Sequence, residues 1–319
     1  MRLLLTGSSG FIGQALRQSL GVNVNYNLRC AYRFRSGNDV FPLHGVAVGD
    51  IDEFTDWSAL LADVEVVLHT AAIAHIQGAV TKQLQSDFDA VNTQATLALA
   101  RQSAAAGVKR FIFLSTVKVL GENTSNSAFT ADSKPVPIDA YACSKWRAEQ
   151  GLRALVAETS MEIVIIRPVL VYGPGVKANF RSMMSWLSKG VPLPLGAIGN
   201  KRSLVALDNL VDLIVTCIDH PAAANQTFLV SDGEDLSTSE LLEKMAMALG
   251  KTSRLLPVPS WMLEGGARLL GKQALAQRVC GSLQVDISKT RELLNWSPPV
   301  SVDQALRKTA EYFLQQRRS

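Results

Sequence analysis

The sequence predicts an α/β protein, a doubly wound parallel sheet with a smaller mixed lobe behind it. Three observations carry this reading. Short apolar runs alternate with longer amphipathic stretches through the first half of the 319 residues. A glycine-punctuated turn joins the first apolar run to the first amphipathic stretch, and proline and glycine crowd the chain after Arg167 before helical periodicity returns.

Taken in order, residues 2–5, 27–32, 45–48, 64–69, 110–115 and 162–166 read as strands, and 11–20, 88–106 and 140–158 read as helices between them. Strands of this length separated by helices build right-handed βαβ units, which form a parallel sheet covered on both faces. Beyond Arg167, Pro168, Pro174, Pro192 and Pro194 together with Gly173, Gly175, Gly190, Gly196 and Gly199 break the rhythm. Helices are then expected at 209–219, with Asp208-Asn209 as its cap, and at 237–249, 260–270 and 302–316. The division is a dinucleotide-binding domain over 1–167 and a lobe over 168–319 closing on the carboxyl edge of the sheet, its segments free to interleave with that sheet.

Composition narrows the class. At 47% hydrophobic and 19% charged the chain is an ordinary globular protein, and a formal charge of +4 with interspersed acids and bases argues against nucleic acid as a partner. Cys30, Cys143, Cys217 and Cys280 form no CxxC pair, and His44, His69, His75 and His220 show no metal-ligand spacing, so neither a disulfide framework nor a protein-held metal is expected. The apolar start ends at Thr6-Gly7, short of the ~7–15 residues of a signal segment, and nothing reaches the ~18 of a membrane span. A cytoplasmic protein without membrane insertion is the expectation.

The first strand runs into Thr6-Gly7-Ser8-Ser9-Gly10-Phe11-Ile12-Gly13, which opens a helix. Glycines at 7, 10 and 13 permit a tight turn, close approach of backbone to a pyrophosphate, and helix-on-strand packing, while the helix start offers free N–H groups and a positive dipole end. Gly7, Ser9, Gly10, Phe11, Ile12 and Gly13 are thus cofactor candidates. The second strand ends at Arg33 with no acid before Asp39, which leans toward NADP over NAD, Arg33 meeting a 2′-phosphate with Arg35 or Ser36 in support. Asp50 and Ile51 would bracket the adenine, and Thr70-Ala71-Ala72 forms a small-residue turn beside the cofactor.

Tyr141 and Lys145 lie four apart at the start of a helix, so they share one face. A free phenol titrates near ~10, and a cation ~4 Å away contributes on the order of 4 kcal/mol at an effective dielectric of ~20, enough to lower that pKa by up to ~3. Lysine at this spacing makes tyrosine an acid/base candidate. Thr116, at the end of the fifth strand, would offer its hydroxyl to the same substrate oxygen, because parallel sheets carry their active groups at strand ends.

Together Thr6–Gly13, Ser115-Thr116, Tyr141-xxx-Lys145 and the run Arg167-Pro168-Val169-Leu170-Val171-Tyr172-Gly173-Pro174-Gly175 resemble the extended short-chain dehydrogenase/reductase family, in particular its nucleotide-sugar epimerases, dehydratases and 4-reductases. The resemblance implies a Rossmann-type domain, Tyr141 as acid/base, Lys145 on the nicotinamide ribose, Thr116 on the reacting sugar oxygen, and Asn92 and Pro168 near the cofactor. It implies a UDP-sugar held by Asn179, Leu195, Arg202 and Arg278, and allows a homodimer through helices flanking the sheet. The segment Thr116-Val117-Lys118-Val119-Leu120-Gly121-Glu122 is similar to reductases of surface-polysaccharide assembly. The first expectation is therefore NAD(P)-dependent 4-keto reduction of a UDP-6-deoxy-N-acetylhexosamine. The alternatives are a UDP-glucose or UDP-N-acetylglucosamine 4-epimerase and a non-catalytic NAD(P)-sensing or scaffold protein.

Overall fold

The computed structural model of the chain describes residues 1–33, 45–74, 82–269, 271 and 273–317. Its strands are β1 (Arg2–Thr6), β2 (Asn27–Tyr32), β3 (Gly45–Ala47), β4 (Val66–His69), β5 (Arg110–Leu114), β6 (Glu162–Pro168), β7 (Leu170–Tyr172), β8 (Arg202–Ala206), β9 (Thr227–Val230) and β10 (Asp235–Leu236). Seven of them form one sheet in the order β3-β2-β1-β4-β5-β6-β9, every pairing parallel. The order reverses beside β1, which is where a doubly wound sheet opens a crevice at its carboxyl edge.

The strands are apolar on both sides because both sides are covered. Leu3 and Leu5 of β1 join one core with Leu68, Ile112, Val164 and Ile166, under helices Phe11–Gly21 and Leu207–Asp219. Leu4, between them, points to the opposite core with Val67, Phe111, Phe113 and Ile165, under helices Thr96–Ala105 and Ala140–Glu158. The alternation is the two-residue period of a strand written once on each face.

Several boundaries differ from the sequence expectation. The helix expected over 88–106 is an α-helix Lys82–Phe88, a π-helical turn Asp89–Ala95 and an α-helix Thr96–Ala105, a widening that residue propensities do not signal. Asp208-Asn209 does not cap the next helix, which starts at Leu207 after Ala206. Asp208 instead pairs with Lys308 at 2.7 Å, and buried Asn209 is bonded to Asp232 and to both backbone groups of Val300. Residues 207–230 return to the large sheet as a helix and β9, so the lobe is interrupted by sheet material.

The lobe has its own sheet, β10-β8-β7, and its own core, in which Tyr172, Phe180, Met184, Leu204, Leu242 and Leu306 meet. Helices Thr238–Ala248 and Val302–Gln315 there open with capping boxes, Ser237 with Glu240 and Ser301 with Gln304. Among the described residues no helix is long and apolar enough to cross a membrane.

Asp232 ties lobe to sheet. It accepts from Tyr172 Oη at 2.8 Å and, through Oδ1, from Ala206 N and Asn209 Nδ2, each at 2.7 Å. Asp232→Ala strands three donors that share its carboxylate, and is expected to lower the unfolding free energy by about 3 kcal/mol, read as a fall in urea midpoint at unchanged slope.

Candidate active site

The glycine turn is built by contact. Gly7 has φ +72°, and a Cβ there would lie 2.6 Å from Ala71 N, so the β1 turn is seated directly on the turn after β4. At Gly13 a Cβ would lie 2.1 Å from Gly7 O, so the helix Phe11–Gly21 can start against the turn only with glycine there. Gly10 caps this helix in extended conformation, φ −74° and ψ 170°, and no side chain bonds to the helix start. Its first N–H groups are therefore left for an outside acceptor, with Ser9 and Gly10 exposed at the turn and Phe11 and Ile12 packed on the core behind it.

The rest of the expected cofactor set falls along the same edge. Thr70 Oγ1 donates to Thr6 O at 2.7 Å, which fixes the Thr70-Ala71-Ala72 turn against β1. Asp50 is exposed, Ile51 packs on the core, and Pro168 closes β6, buried. Arg33 is exposed and lies 3.4 Å from Asp50, so this end of the edge carries a loose ion pair where the sequence suggested a ligand for a 2′-phosphate. Arg35 and Ser36 lie outside the described residues.

The pair at the other end of the edge sits on the helix Ala140–Glu158. Asp139 caps it, accepting from Ala142 N at 2.7 Å and from Lys118 Nζ at 2.5 Å. Tyr141 follows the cap and is half-buried, its ring 6.1 Å from that of Phe88. Lys145 is 1% exposed, and its Nζ stands 4.2 Å above the Phe113 ring with no hydrogen bond to a protein group among the described residues. A buried ammonium over a ring, with three donors that no described residue takes up, is a fit for an incoming ribose. Thr116 is buried, and its Oγ1 accepts from Lys118 N at 3.3 Å, which caps the short turn Val117–Val119 and leaves the hydroxyl hydrogen to donate elsewhere.

The electrostatics run opposite to the simple pair argument. Burial, and after it the Asp139 carboxylate, push the Tyr141 phenol above its ordinary value. Burial pulls the Lys145 ammonium down to about 7 against the opposing pull of Glu149. No hydrogen bond joins the phenol to the ammonium. Desolvation is the largest influence on both groups. His69, below them, bridges Thr6 Oγ1 at 2.8 Å and Thr96 Oγ1 at 2.9 Å and is held neutral, lowered to about 3 by burial first and Lys145 second.

Asn92, in the π-helical turn, serves as a clamp. Its Oδ1 accepts from Ile73 N, and its Nδ2 donates to Ile73 O and Ser144 Oγ, at 2.9, 3.0 and 3.1 Å. Both amide hydrogens are spent on the protein, so Asn92 joins the turn after β4 to the Tyr141 helix. The glycine turn, the β4 turn and the acid/base pair are thereby one connected body.

In the lobe, Arg202 Nη1 donates to the carbonyls of Arg278 and Gly281 at 3.1 and 2.9 Å. Arg202 and the 278–281 segment are thus brought together, while the Arg278 side chain is exposed. A cleft lined by Asn123, Thr124, Arg268, Gln277, Gly281 and Ser282 opens there, and sequence reasoning missed it because its walls come from two segments about 140 residues apart. Asn179 is exposed near the start of helix Ala178–Ser188. Leu195 packs on the lobe core, its carbonyl accepting from Ser239 Oγ at 2.6 Å.

Two measurements check this geometry. Gly13→Ala should fold yet lose dinucleotide binding by tenfold or more in calorimetry, since the helix start must move off Gly7. Affinity for NAD should weaken as pH rises through about 7, where Lys145 gives up the proton it holds below that pH, and Lys145→Met should flatten this dependence.

The chain matches the NAD dependent epimerase/dehydratase family over residues 3–231. It is 49% identical over 315 residues to a UDP-glucose 4-epimerase of Vibrio cholerae, covering 98% of this chain and 95% of that one. Among solved structures it superposes on a UDP-glucuronic acid 4-epimerase from Bacillus cereus in complex with NAD, with a TM-score of 0.78 at 23% identity, over 100% of this chain and 98% of that one. A UDP-glucose 4-epimerase from Thermotoga maritima, solved with UDP-glucose, gives the same TM-score and identity over 99% and 100%. At such identity the two structures speak for the fold. Glycine turn, Tyr141/Lys145 helix and end-to-end relatedness agree, and the chain belongs to the NAD dependent epimerase/dehydratase family, within the extended short-chain dehydrogenase/reductases, and is an enzyme of that family.

Proposed function

We propose that the chain is a 4-epimerase of a UDP-hexose or UDP-N-acetylhexosamine. The observation that carries the proposal is the 49% identity to the Vibrio cholerae UDP-glucose 4-epimerase, sustained over nearly the full length of both chains. The geometry supports it, since epimerisation at C4 needs one group to move the proton of the C4 hydroxyl and a second to hold that oxygen, and Tyr141 and Thr116 occupy the carboxyl edge together.

NAD, when bound, supplies the reversible acceptance of the C4 hydride. The chain's own residues do the rest. Tyr141 takes the C4 hydroxyl proton and later returns it, a role that needs the positive charge of Lys145 to offset the burial that raises the phenol, while the Thr116 hydroxyl donates to the same oxygen. Lys145 holds the cofactor ribose and, while protonated, favours the phenolate. Arg202, with Nη1 anchored on the 278–281 carbonyls, keeps its remaining N–H groups for the diphosphate, a match that guanidinium geometry suits. Binding the remote nucleotide firmly leaves the sugar free to present either face of C4.

A second reading is retained for a specific reason. The segment Thr116–Glu122, with Lys118 paired to Asp139, is similar to reductases of surface-polysaccharide assembly, and the same residues would perform net 4-keto reduction of a UDP-6-deoxy-N-acetylhexosamine. Anaerobic incubation with UDP-glucose and with UDP-N-acetylglucosamine separates the two. The expected result is the C4 epimer without consumption of added cofactor. No epimer, with NADH or NADPH oxidation at ~340 nm against the 4-keto sugar, replaces epimerase by reductase. Tyr141→Phe should bind NAD normally and lose turnover by ~10² or more, and near-normal turnover would remove Tyr141 from the chemistry.

A further inference from the structure

Directly behind Lys145 and Thr116 lies a buried polar cluster that the mechanism above does not use. Glu149 and Arg167 have side chains 0% and 2% exposed, with Arg167 Nε donating to Oε1 at 3.0 Å and Nη2 to Oε2 at 2.5 Å. Ser115 Oγ donates to the same Oε1 at 2.6 Å, Arg167 Nη1 donates to Ala131 O at 3.1 Å, and Arg153 approaches from the rim at 3.6 Å.

The placement of these residues is ordered. Ser115 precedes Thr116 at the end of β5, Arg167 precedes Pro168 at the end of β6, and Glu149 lies one helical turn beyond Lys145 on the same face. A dry ion pair is a weak means of joining helix to sheet, because desolvation offsets much of its attraction and apolar contacts do as well. Ala148 and Leu152 of the same helix already provide such contacts. The charge of the pair therefore calls for another explanation.

We propose that Glu149 is a positioning residue for Lys145, anchored by Arg167 and Ser115, which keeps the lysine charged and aimed into the dinucleotide groove while fixing the strand end that carries Thr116. The inference rests on Lys145 as the cation on the cofactor side and is independent of which sugar is turned over.

The surroundings leave Glu149 as the anion available for this role. Lys145 is acted on by Glu149 one turn along its own helix and lies beside His69 of β4, with the Phe113 ring of β5 beneath it, while Arg153 of the same helix and Arg167 of β6 lie against Glu149. His69 is neutral, and the Asp139 carboxylate is spent on Lys118 and on the helix start. Burial drives the Lys145 proton off and Glu149 opposes it. Removing the Glu149 charge therefore lowers the pH at which Lys145 deprotonates, whereas removing the Arg167 charge releases the carboxylate's field onto the lysine and raises it. The two substitutions have opposite signs, which a purely structural role would not produce.

The test is a pH titration of the full chain labelled with [ε-¹³C]lysine, the Lys145 resonance being assigned by its loss in Lys145→Met. Glu149→Gln should move the Lys145 midpoint down by about one pH unit and Arg167→Gln should move it up. The alkaline limb of kcat should follow each shift, with KM for the sugar held within about twofold. Ser115→Ala should leave the midpoint in place and lower kcat about tenfold, as expected when a reacting group is slightly misplaced. An unmoved Lys145 midpoint in the folded charge variants, or rate losses equal at pH 6 and pH 8, overturns the proposal. Should Glu149→Gln not fold, Arg167→Gln and Ser115→Ala decide it, an unmoved midpoint or a wild-type kcat counting against. If the wild-type chain shows no epimerase activity the resonance still reports the midpoint, so failure of the functional reading is seen separately.

Discussion

The contact on which the site depends is the seating of one backbone on another, Gly7 against the turn after β4. With a Cβ at position 7 only 2.6 Å from Ala71 N, and one at position 13 only 2.1 Å from Gly7 O, first strand, first helix and fourth strand end share a single point of close approach. Thr6 and Thr70 are hydrogen-bonded across the same point, and Asn92 carries its position onward from Ile73 to the helix of Tyr141 and Lys145. An edge assembled this way holds the glycine turn, the β4 turn and the Tyr141 helix in fixed relation. That is what a long dinucleotide lying along a sheet edge requires.

Around this edge the protein buries polar groups in place of apolar ones, and each burial is satisfied. His69 has a threonine hydroxyl on each ring nitrogen, Asp232 has three donors, and Glu149 has Arg167 and Ser115. Unsatisfied, any of these would cost more than it contributes; satisfied, they hold geometry that methyl groups could not specify. Lys145 is the exception among the groups at the edge, buried over an aromatic ring with its donors unspent among the described residues. The contrast separates structural polar groups from the one left for a ligand.

Much of the sheet was legible because its code is short-range. The six runs read as strands in the first half correspond to β1–β6, and the glycine turn fell between strand and helix as expected. β7 to β10 were not read, since strands of two to five residues carry too few positions for a period to register. The helix start at Leu207 was displaced for another reason. Asp208 and Asn209 look like caps locally, but Asn209 is claimed by Asp232 and Val300, partners distant in sequence. The Glu149 to Arg167 pair had one local sign, an acid on the helical face that Ala148 and Leu152 bury, and its partner lay on a separate strand.

Sequence alone determined the periodicities, the glycines that a tight strand-to-helix turn demands, and the four-residue spacing that puts Tyr141 and Lys145 on one face, because each is a property of a few neighbouring residues. Tertiary structure decided the charge states and the partners. The same spacing suggested an acidified phenol, yet folding buries phenol and ammonium together, so desolvation raises one and lowers the other. Arg33, read as a 2′-phosphate ligand, lies beside Asp50, and Asn92, read as near the cofactor, spends both amide hydrogens on Ile73 and Ser144. Hydration and long-range pairing depend on what the rest of the chain brings alongside, and no window of sequence contains that information.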